Sequence, residues 1–398
     1  MAVVTVAVIV VAGTISWVLT DRLVDQTNEV ATSTGEVLIA TQQVSASFAE
    51  ADAAAVSVHL AGADGNREQR RLFEQAIERA TTSLERVARL VGDDEPSHDS
   101  LQEIASRTAE YAGLIEASRL ASVEGLVGAD TTLQQASSMN RSEISPEVET
   151  IASRARDRFN DQISSTWYFV AFGVLAVALI VLIMMQVVLT RQFHRIVNVP
   201  LALATIALLV VVYMAAQGFA QQQRALGNAE SDAFEAIVVS EEIQQTAYRH
   251  RAIGTTSVLT RASAAGQLES LEAAFSGDNN LLDQAFLAAS SPRERAAATE
   301  IAIRWDRYVA ESAQMQSRLA SGAIEQAEVI AQGPASSTFN GFNTSVEAAL
   351  LDNREQFLDQ LTTANDAMQW LRGVILAGSL LAAVLAWWGF GLRIGEYR

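Results

Sequence analysis

The chain has 398 residues, no cysteine, only four histidines and a net charge of −18, yet 49% of its residues are hydrophobic. The lack of cysteine excludes disulfides and thiolate chemistry. The negative charge argues against nucleic acid as a partner, because phosphate binding needs positive charge. We therefore expect charged soluble parts joined to very apolar membrane parts.

The first predicted element is a membrane helix at residues 1–20, a stretch without any charged side chain. Its length suits a bilayer, which needs about 20 apolar residues. A cleaved signal peptide is the alternative, but it would carry a basic start and a small-residue cleavage site. Because this stretch has no basic start and no clear cleavage site, an uncleaved anchor is the better prediction.

A heptad seam dominates the start of the first polar segment, residues 21–165. Apolar residues recur seven apart along it, at Leu23, Val30, Val37, Val44, Ala51 and Val58. Such a repeat predicts a long helix that packs along one stripe. The sequence AGADGN at 61–66 is expected to end it.

Three more helices are predicted before residue 165. One covers 67–91, one begins at Ser100 with Glu103 as a capping box, and one begins at Ser145–Pro146. The segment has no strand-like alternation of any length. We therefore predict an all-α fold in which residues 21–165 form a four-helix bundle.

The remaining elements follow in the same order. We predict a second span at 166–190, a loop at 191–198, a third span at 197–219, a second polar segment at 220–369, a fourth span at 370–391 and a tail at 392–398. The loop contains Arg191 and Arg195 but no acid, and short basic loops stay in the cytoplasm. Both polar segments are then extracytoplasmic bundles and both termini cytoplasmic, in an inner-membrane protein embedded in the lipid bilayer.

Small residues on the fourth span predict close helix packing. Gly378, Ala382 and Ala386 recur at a spacing of four, which puts them on one face of a helix. We expect this face to hold the two halves of the chain together.

The two polar segments repeat one another. Matching sequences occur in the same order, 197 to 199 residues apart: EIASRTAEY (103–111) with EIAIRWDRY (300–308), SRLAS (118–122) with SRLAS (317–321), ASS (136–138) with ASS (335–337), and RDRFNDQI (156–163) with REQFLDQL (354–361). A chance echo in an alanine-rich helix is the alternative. We predict an internal duplication with pseudo-two-fold symmetry, in which the second copy repeats the helices of the first and Ser291–Pro292 with Glu294 begins its third helix.

This architecture resembles the extracytoplasmic four-helix sensor domains of bacterial chemoreceptors and sensor histidine kinases. More narrowly, a four-span chain with two such bundles and no lysine looks like the GlnX-like membrane proteins of actinobacteria. The resemblance implies an extracytoplasmic solute-binding protein, such as a glutamine-binding lipoprotein, as one partner. It also implies a cytoplasmic kinase, such as protein kinase G, as another. The short cytoplasmic segments depart from that pattern.

The copies differ at one place that suggests a ligand site. When Ser57 is aligned with Ser257, the apolar Phe48, Ala51 and Ala55 correspond to Tyr248, Arg251 and Thr255. A buried arginine needs an anion. We predict that Arg251, with Arg249, Tyr248 and Thr255, binds the carboxylate of a small ligand. The alternatives are an ion pair with Glu300, Asp306 or Glu311, or a solvated arginine.

No catalytic, cofactor-binding or metal-binding motif is present, so we expect neither an enzyme nor a cofactor or metal. The predicted function is a membrane sensor or signal-relay protein that detects a carboxylate or amino-acid ligand, or a ligand-loaded binding protein. The alternatives are a structural or scaffolding envelope protein and an accessory subunit of a transporter.

Overall fold

The computed structural model describes residues 2–61, 67–92, 95–124, 126–163, 167–193 and 199–395, and this part of the chain is helical without strands. The α-helices are α1 Ala2–Glu29, α2 Gly35–Ala61, α3 Arg67–Leu90, α4 Glu95–Val123, α5 Ala129–Met139, α6 Ser145–Ile163, α7 Trp167–Phe193, α8 Val199–Asn228, α9 Glu235–Thr260, α10 Ala265–Glu272, α11 Leu281–Ala288, α12 Pro292–Ala320, α13 Ile324–Gln332 and α14 Pro334–Gly395. Three π-helical turns interrupt them: π1 Val30–Thr34, π2 Asn140–Ile144 and π3 Ala229–Phe234.

Contacts group the chain into two compact units. The apolar unit contains residues 1–32, 159–229 and 358–398, and the polar unit contains residues 33–158 and 230–357. The predicted turn at 62–66, most of the loop at 191–198 and the end of the tail lie outside the described residues. The predicted domain boundaries remain predictions.

The apolar unit contains the four predicted spans. Four helices are long and apolar enough to cross a membrane, with their apolar stretches in α1, α7, α8 and α14. α1 packs against α7, and α7 against α8. α14 meets α1 through an ion pair, since Arg372 lies 2.6 Å from Asp21. The predicted small-residue face is confirmed as a packed surface, because Ala382 and Ala386 are fully buried.

The core of the polar unit is built on the heptad seam. Val37, Val44 and Ala51 are all buried, as the seven-residue spacing predicts. α2 packs against α3 on one side and against α9 on another, so its seam is covered from two directions. Tyr111 of α4 packs against this core, and its ring centre lies 6.3 Å from the ring centre of Phe48.

Of two predicted helix starts in the first polar segment, one is wrong and one is confirmed. α4 begins at Glu95 rather than at Ser100, because Pro96 falls in its first turn, where the fixed φ of proline favours a helix start. α6 begins at Ser145, as predicted, although it follows α5 and π2 without a break. Proline has no N–H to donate, and the π turn directly before Pro146 shifts the hydrogen-bond register there.

The second polar segment departs from the predicted order at its second helix. Where one helix was predicted, the structure has two short helices, α10 and α11, separated by a turn in which Gly277 and Asn279 have φ of +127° and +56°. Glycine and asparagine tolerate this left-handed region, so the sequence SGDNN breaks the helix. The predicted start of α12 is confirmed. Ser291 and Glu294 form a reciprocal capping box with Pro292 in the first turn.

Candidate functional site

Arg251, the centre of the predicted site, lies on α9 and reaches towards the start of α14. Its Nη2 donates to Ser336 Oγ at 3.2 Å, and its Nη1 donates to Asn340 Oδ1 at 3.4 Å. The guanidinium carbon lies 4.6 Å from the centre of the Phe339 ring. Burial lowers the pKa of Arg251 from its ordinary value, because an apolar surrounding disfavours the cation. The hydrogen-bond partners of this cation are thus neutral groups.

The alternative ion pair with α12 is not what the described residues show. Glu300 lies 2.6 Å from Arg304, its neighbour one turn on, instead of pairing with Arg251. Among the described residues, Arg251 forms no ion pair with Asp306 or Glu311 either.

The other three predicted site residues fall into different surroundings. Tyr248 is buried, and its ring centre lies 5.1 Å from that of Phe339, so it shares this aromatic neighbour with Arg251. Thr255 is buried one turn further along α9. Arg249 is exposed. Successive residues of a helix point about 100° apart, so Arg249 cannot follow Arg251 into the same contact.

Two carboxylates are close enough to Arg251 and Tyr248 to act on their charges. Glu50 of α2 pairs with Arg79 of α3, and its pKa is raised by burial, an effect that Arg79 and, more weakly, Arg251 oppose. The pKa of Tyr248 lies well above its ordinary value, mainly through burial and then through Glu50 and Glu347. Residues of both polar segments therefore share one electrostatic environment around α2 and α9.

His250, next to Arg251, is at the centre of a buried polar network that sequence reasoning did not find. Its Nδ1 lies 3.1 Å from the Tyr308 hydroxyl, and its Nε2 lies 3.0 Å from Glu272 Oε1. The ring of Trp305 packs edge-on against the imidazole, with centres 5.4 Å apart. The histidine is fully buried with both nitrogens engaged, so we interpret it as a structural link between α9, α10 and α12.

A cavity of about 400 Å³ lies between the two halves of the polar unit, and sequence reasoning missed it. Its walls come from α2, α5, π2, α9 and the segment that joins α9 to α10. The polar side chains that line it are Asp52, Asp130, Gln134, Ser137, Arg141, Thr256, Ser257, Thr260, Ser263 and Gln267. The volume falls within the range of small-molecule sites.

Asp52 is the buried charge in the wall of this cavity, with only 7% of its surface exposed. Ser137 donates a hydrogen bond to its Oδ1, and Arg141 Nη1 lies 3.9 Å from its Oδ2. Burial raises the pKa of Asp52, and the hydrogen bond from Ser137 and the charge of Arg141 oppose that rise. The carboxylate is thus held in place but only partly neutralised.

Asp52 and Arg251 carry opposite charges and lie 199 residues apart in the chain. Asp52 bonds Ser137 and lies beside Arg141, and 199 residues further on Arg251 bonds Ser336 and Asn340. Both serines belong to the repeated ASS sequence, which was the one signal in the chain that could have pointed to Asp52. Within the described residues, no three His, Cys, Asp or Glu side chains converge as metal ligands would.

Residues 26–164 match the family model of the actinobacterial sensor domain. The match covers the first polar segment and supports a sensor-type domain there. No curated protein and no solved structure matches the chain at a significant level.

Proposed function

We propose that this chain is a membrane sensor or signal-relay protein. Its two polar helical segments would lie outside the inner membrane and its termini inside. The proposal rests on the sensor-domain match at residues 26–164 and on the four helices of the same chain that are able to cross a membrane. The proposal includes no catalytic activity.

We further propose that the two polar segments are duplicated four-helix bundles related by a pseudo-two-fold axis. Recurring helix defects support this. π1 begins at Val30 and π3 at Ala229, which is the same offset as the repeated sequences. π-helical turns are rare and often mark functional positions. Two of them at corresponding places favour common descent over a chance echo.

The proposed ligand of the Arg251 site is a small carboxylate or amino acid, either free or presented by a ligand-loaded binding protein. The ligand carboxylate would replace Ser336 and Asn340 as the partner of the guanidinium, because a bidentate charged pair is stronger than bonds to neutral groups. Tyr248 and Thr255 would line the same position on α9.

The proposed relay runs along α14. This helix of 62 residues carries Ser336 and Asn340 near its beginning and the fourth apolar stretch near its end. A ligand that breaks the bonds between Arg251 and α14 would favour a second position of that helix. Its differential affinity for the two states sets the direction of the change. A cytoplasmic partner such as a kinase would read the shift.

The test uses the full chain in lipid nanodiscs, with melting temperature followed against a panel of amino acids and dicarboxylates. A ligand at 100 times its dissociation constant adds about 2.7 kcal/mol to the stability of its protein. We expect Arg251→Ala to remain folded and to lose that stabilisation, since it removes the cation that binds the carboxylate.

Arg249→Ala is the matched control, because Arg249 is an exposed arginine two residues away on the same helix. It should respond to ligand like the unaltered protein. Unchanged stabilisation in Arg251→Ala would refute the site. If no compound stabilises the full chain while an envelope protein co-purifies with it, the scaffold function is favoured instead.

A further inference from the structure

The cavity between α2, α5 and α9 differs from the Arg251 site in charge and in hydrogen-bonding character. Two carboxylates line it, those of Asp52 and Asp130, and one guanidinium, that of Arg141. Asp130 is exposed and already bonded to His59 at 2.7 Å, so Asp52 is the buried carboxylate of the cavity. We propose that the cavity is a second binding site, which takes a small molecule with a primary ammonium group. The proposal does not depend on a carboxylate binding at Arg251.

The hydroxyl groups of the cavity wall are available mainly as acceptors. Thr256 Oγ1 donates its proton to the carbonyl of Ala252 at 2.8 Å, and Thr260 Oγ1 donates to the carbonyl of Thr256 at 3.0 Å. Ser137 gives its proton to Asp52. A hydroxyl that has used its proton presents only lone pairs. These three side chains therefore suit a ligand that donates hydrogen bonds.

An ammonium group matches this wall, because it carries three donors and no acceptor. A carboxylate does not match it, because a carboxylate accepts hydrogen bonds and Arg141 is the one cationic side chain lining the cavity. Lone pairs of Thr256 and Thr260 would face the carboxylate oxygens of such a ligand. The hydrogen bonding of the wall thus selects for a cation.

Asp52 supplies the charge for that cation. Its Oδ1 accepts from Ser137, and the nearby Tyr111 hydroxyl also lowers its pKa. Arg141 stays 3.9 Å from Oδ2, beyond hydrogen-bond distance, and is itself about half exposed. A buried carboxylate gains most from a partner that brings both charge and hydrogen bonds. An ammonium at this point would complete its coordination without moving Ser137.

The matching position in the second copy has the opposite polarity. There the helix carries Arg251 instead of a carboxylate, and its neighbours are Ser336 and Asn340. One framework of helices therefore holds a cation-selective position in the first half of the chain and an anion-selective position in the second. The two sites are expected to bind different chemical groups independently.

The experiment is calorimetric titration of the full chain in lipid nanodiscs at pH 7.5, with ethanolamine and putrescine as probes. Succinate tests the opposite charge, and choline tests a cation without N–H donors. We expect saturable binding of at least one primary amine with a dissociation constant below about 1 mM. Choline should bind at least tenfold more weakly, and succinate should not compete with the amine.

Asp52→Asn removes the charge while it keeps the shape, and it should weaken amine binding at least tenfold. Thr256→Val removes one acceptor without a change of size, and it provides the test if Asp52→Asn fails to fold. Asp157→Asn, at an exposed position on α6, should leave amine binding unchanged. The proposal is overturned if neither amine binds saturably, or if binding survives in both cavity variants.

Discussion

At the scale of single residues, Asp52 and Arg251 show how one side chain sets the charge of a helix surface. Each forms a hydrogen bond with a serine of an ASS sequence. The alignment on Ser57 paired Arg251 with Ala51, one residue before Asp52. The sequence analysis therefore identified Arg251 as a charged residue in an otherwise apolar seam but overlooked Asp52, which follows Ala51.

Glu241 is a buried carboxylate whose protonation should affect stability. It is 4% exposed, its Oε1 lies 2.7 Å from Arg354 Nη2, and burial raises its pKa to about 7 despite that arginine. The native state therefore holds a proton that the unfolded chain releases near its usual pKa of 4.5. The contribution of Glu241 to the free energy of unfolding is fully present below pH 4.5, falls as pH rises and is lost by about pH 7.

We expect the protein to lose stability between pH 5 and pH 8, and Glu241→Gln to lose less. At about 1.4 kcal/mol for each pH unit, the full effect amounts to about 3 kcal/mol. Chemical denaturation at the two pH values measures it. Glu242→Gln is the control, since Glu242 is the exposed neighbour on α9. Equal pH dependence in both variants would contradict the assignment to Glu241.

At the scale of elements, a local helix-start signal in the sequence predicted the observed start where no other start signal lies nearby. The box at Ser291 formed because no better start lies close to it. In the first copy, Pro96 begins α4 before Ser100 is reached. The π turns were not predicted, because an extra residue in a helix leaves no distinct pattern in an alanine-rich sequence.

We expect Ser291→Ala to reduce stability by about 1 kcal/mol, the usual effect of losing a capping side chain. The variant loses the bond from the Glu294 N–H to Ser291 Oγ and the reciprocal bond from Ser291 Oγ to the Glu294 carboxylate. Denaturant unfolding of the full chain measures the loss. Ser317→Ala on the exposed face of α12 should have no such effect, and equal losses in the two variants would refute the capping role.

At the scale of the whole molecule, helix packing in the apolar unit depends on small residues. A side chain at Gly378 would meet Val211 of α8, so glycine here permits the close approach of α8 and α14. Such contacts stabilise helix pairs in lipid through van der Waals packing. They tie the fourth span to the third, as the spacing of Gly378, Ala382 and Ala386 predicted.

We expect Gly378→Leu to lower stability by about 1–3 kcal/mol, because overpacking forces the helices apart. Thermal unfolding in nanodiscs measures the change. Gly373→Leu provides the matched control on the same helix, since a side chain there would meet open space. A similar loss in both variants would mean that the effect comes from helix propensity and not from packing.

The sequence alone determined the helical class, the four apolar stretches, the buried seam of α2 and the start of α12. Each of these rests on residues close together in the chain, where a fixed period decides which face is buried. It also indicated a sensor-type domain by resemblance, which the match at residues 26–164 supports.

The tertiary structure alone decided which polar groups meet. Asp52 and Ser137 form a hydrogen bond although they lie 85 residues apart, and so do Arg251 and Ser336. His250 of α9 contacts both α10 and α12. Periodicity shows which face of a helix is buried but not which residue of another helix lies opposite. That choice follows from how separate helices pack around the shared contact of α2 and α9, and the cavity exists only because of it.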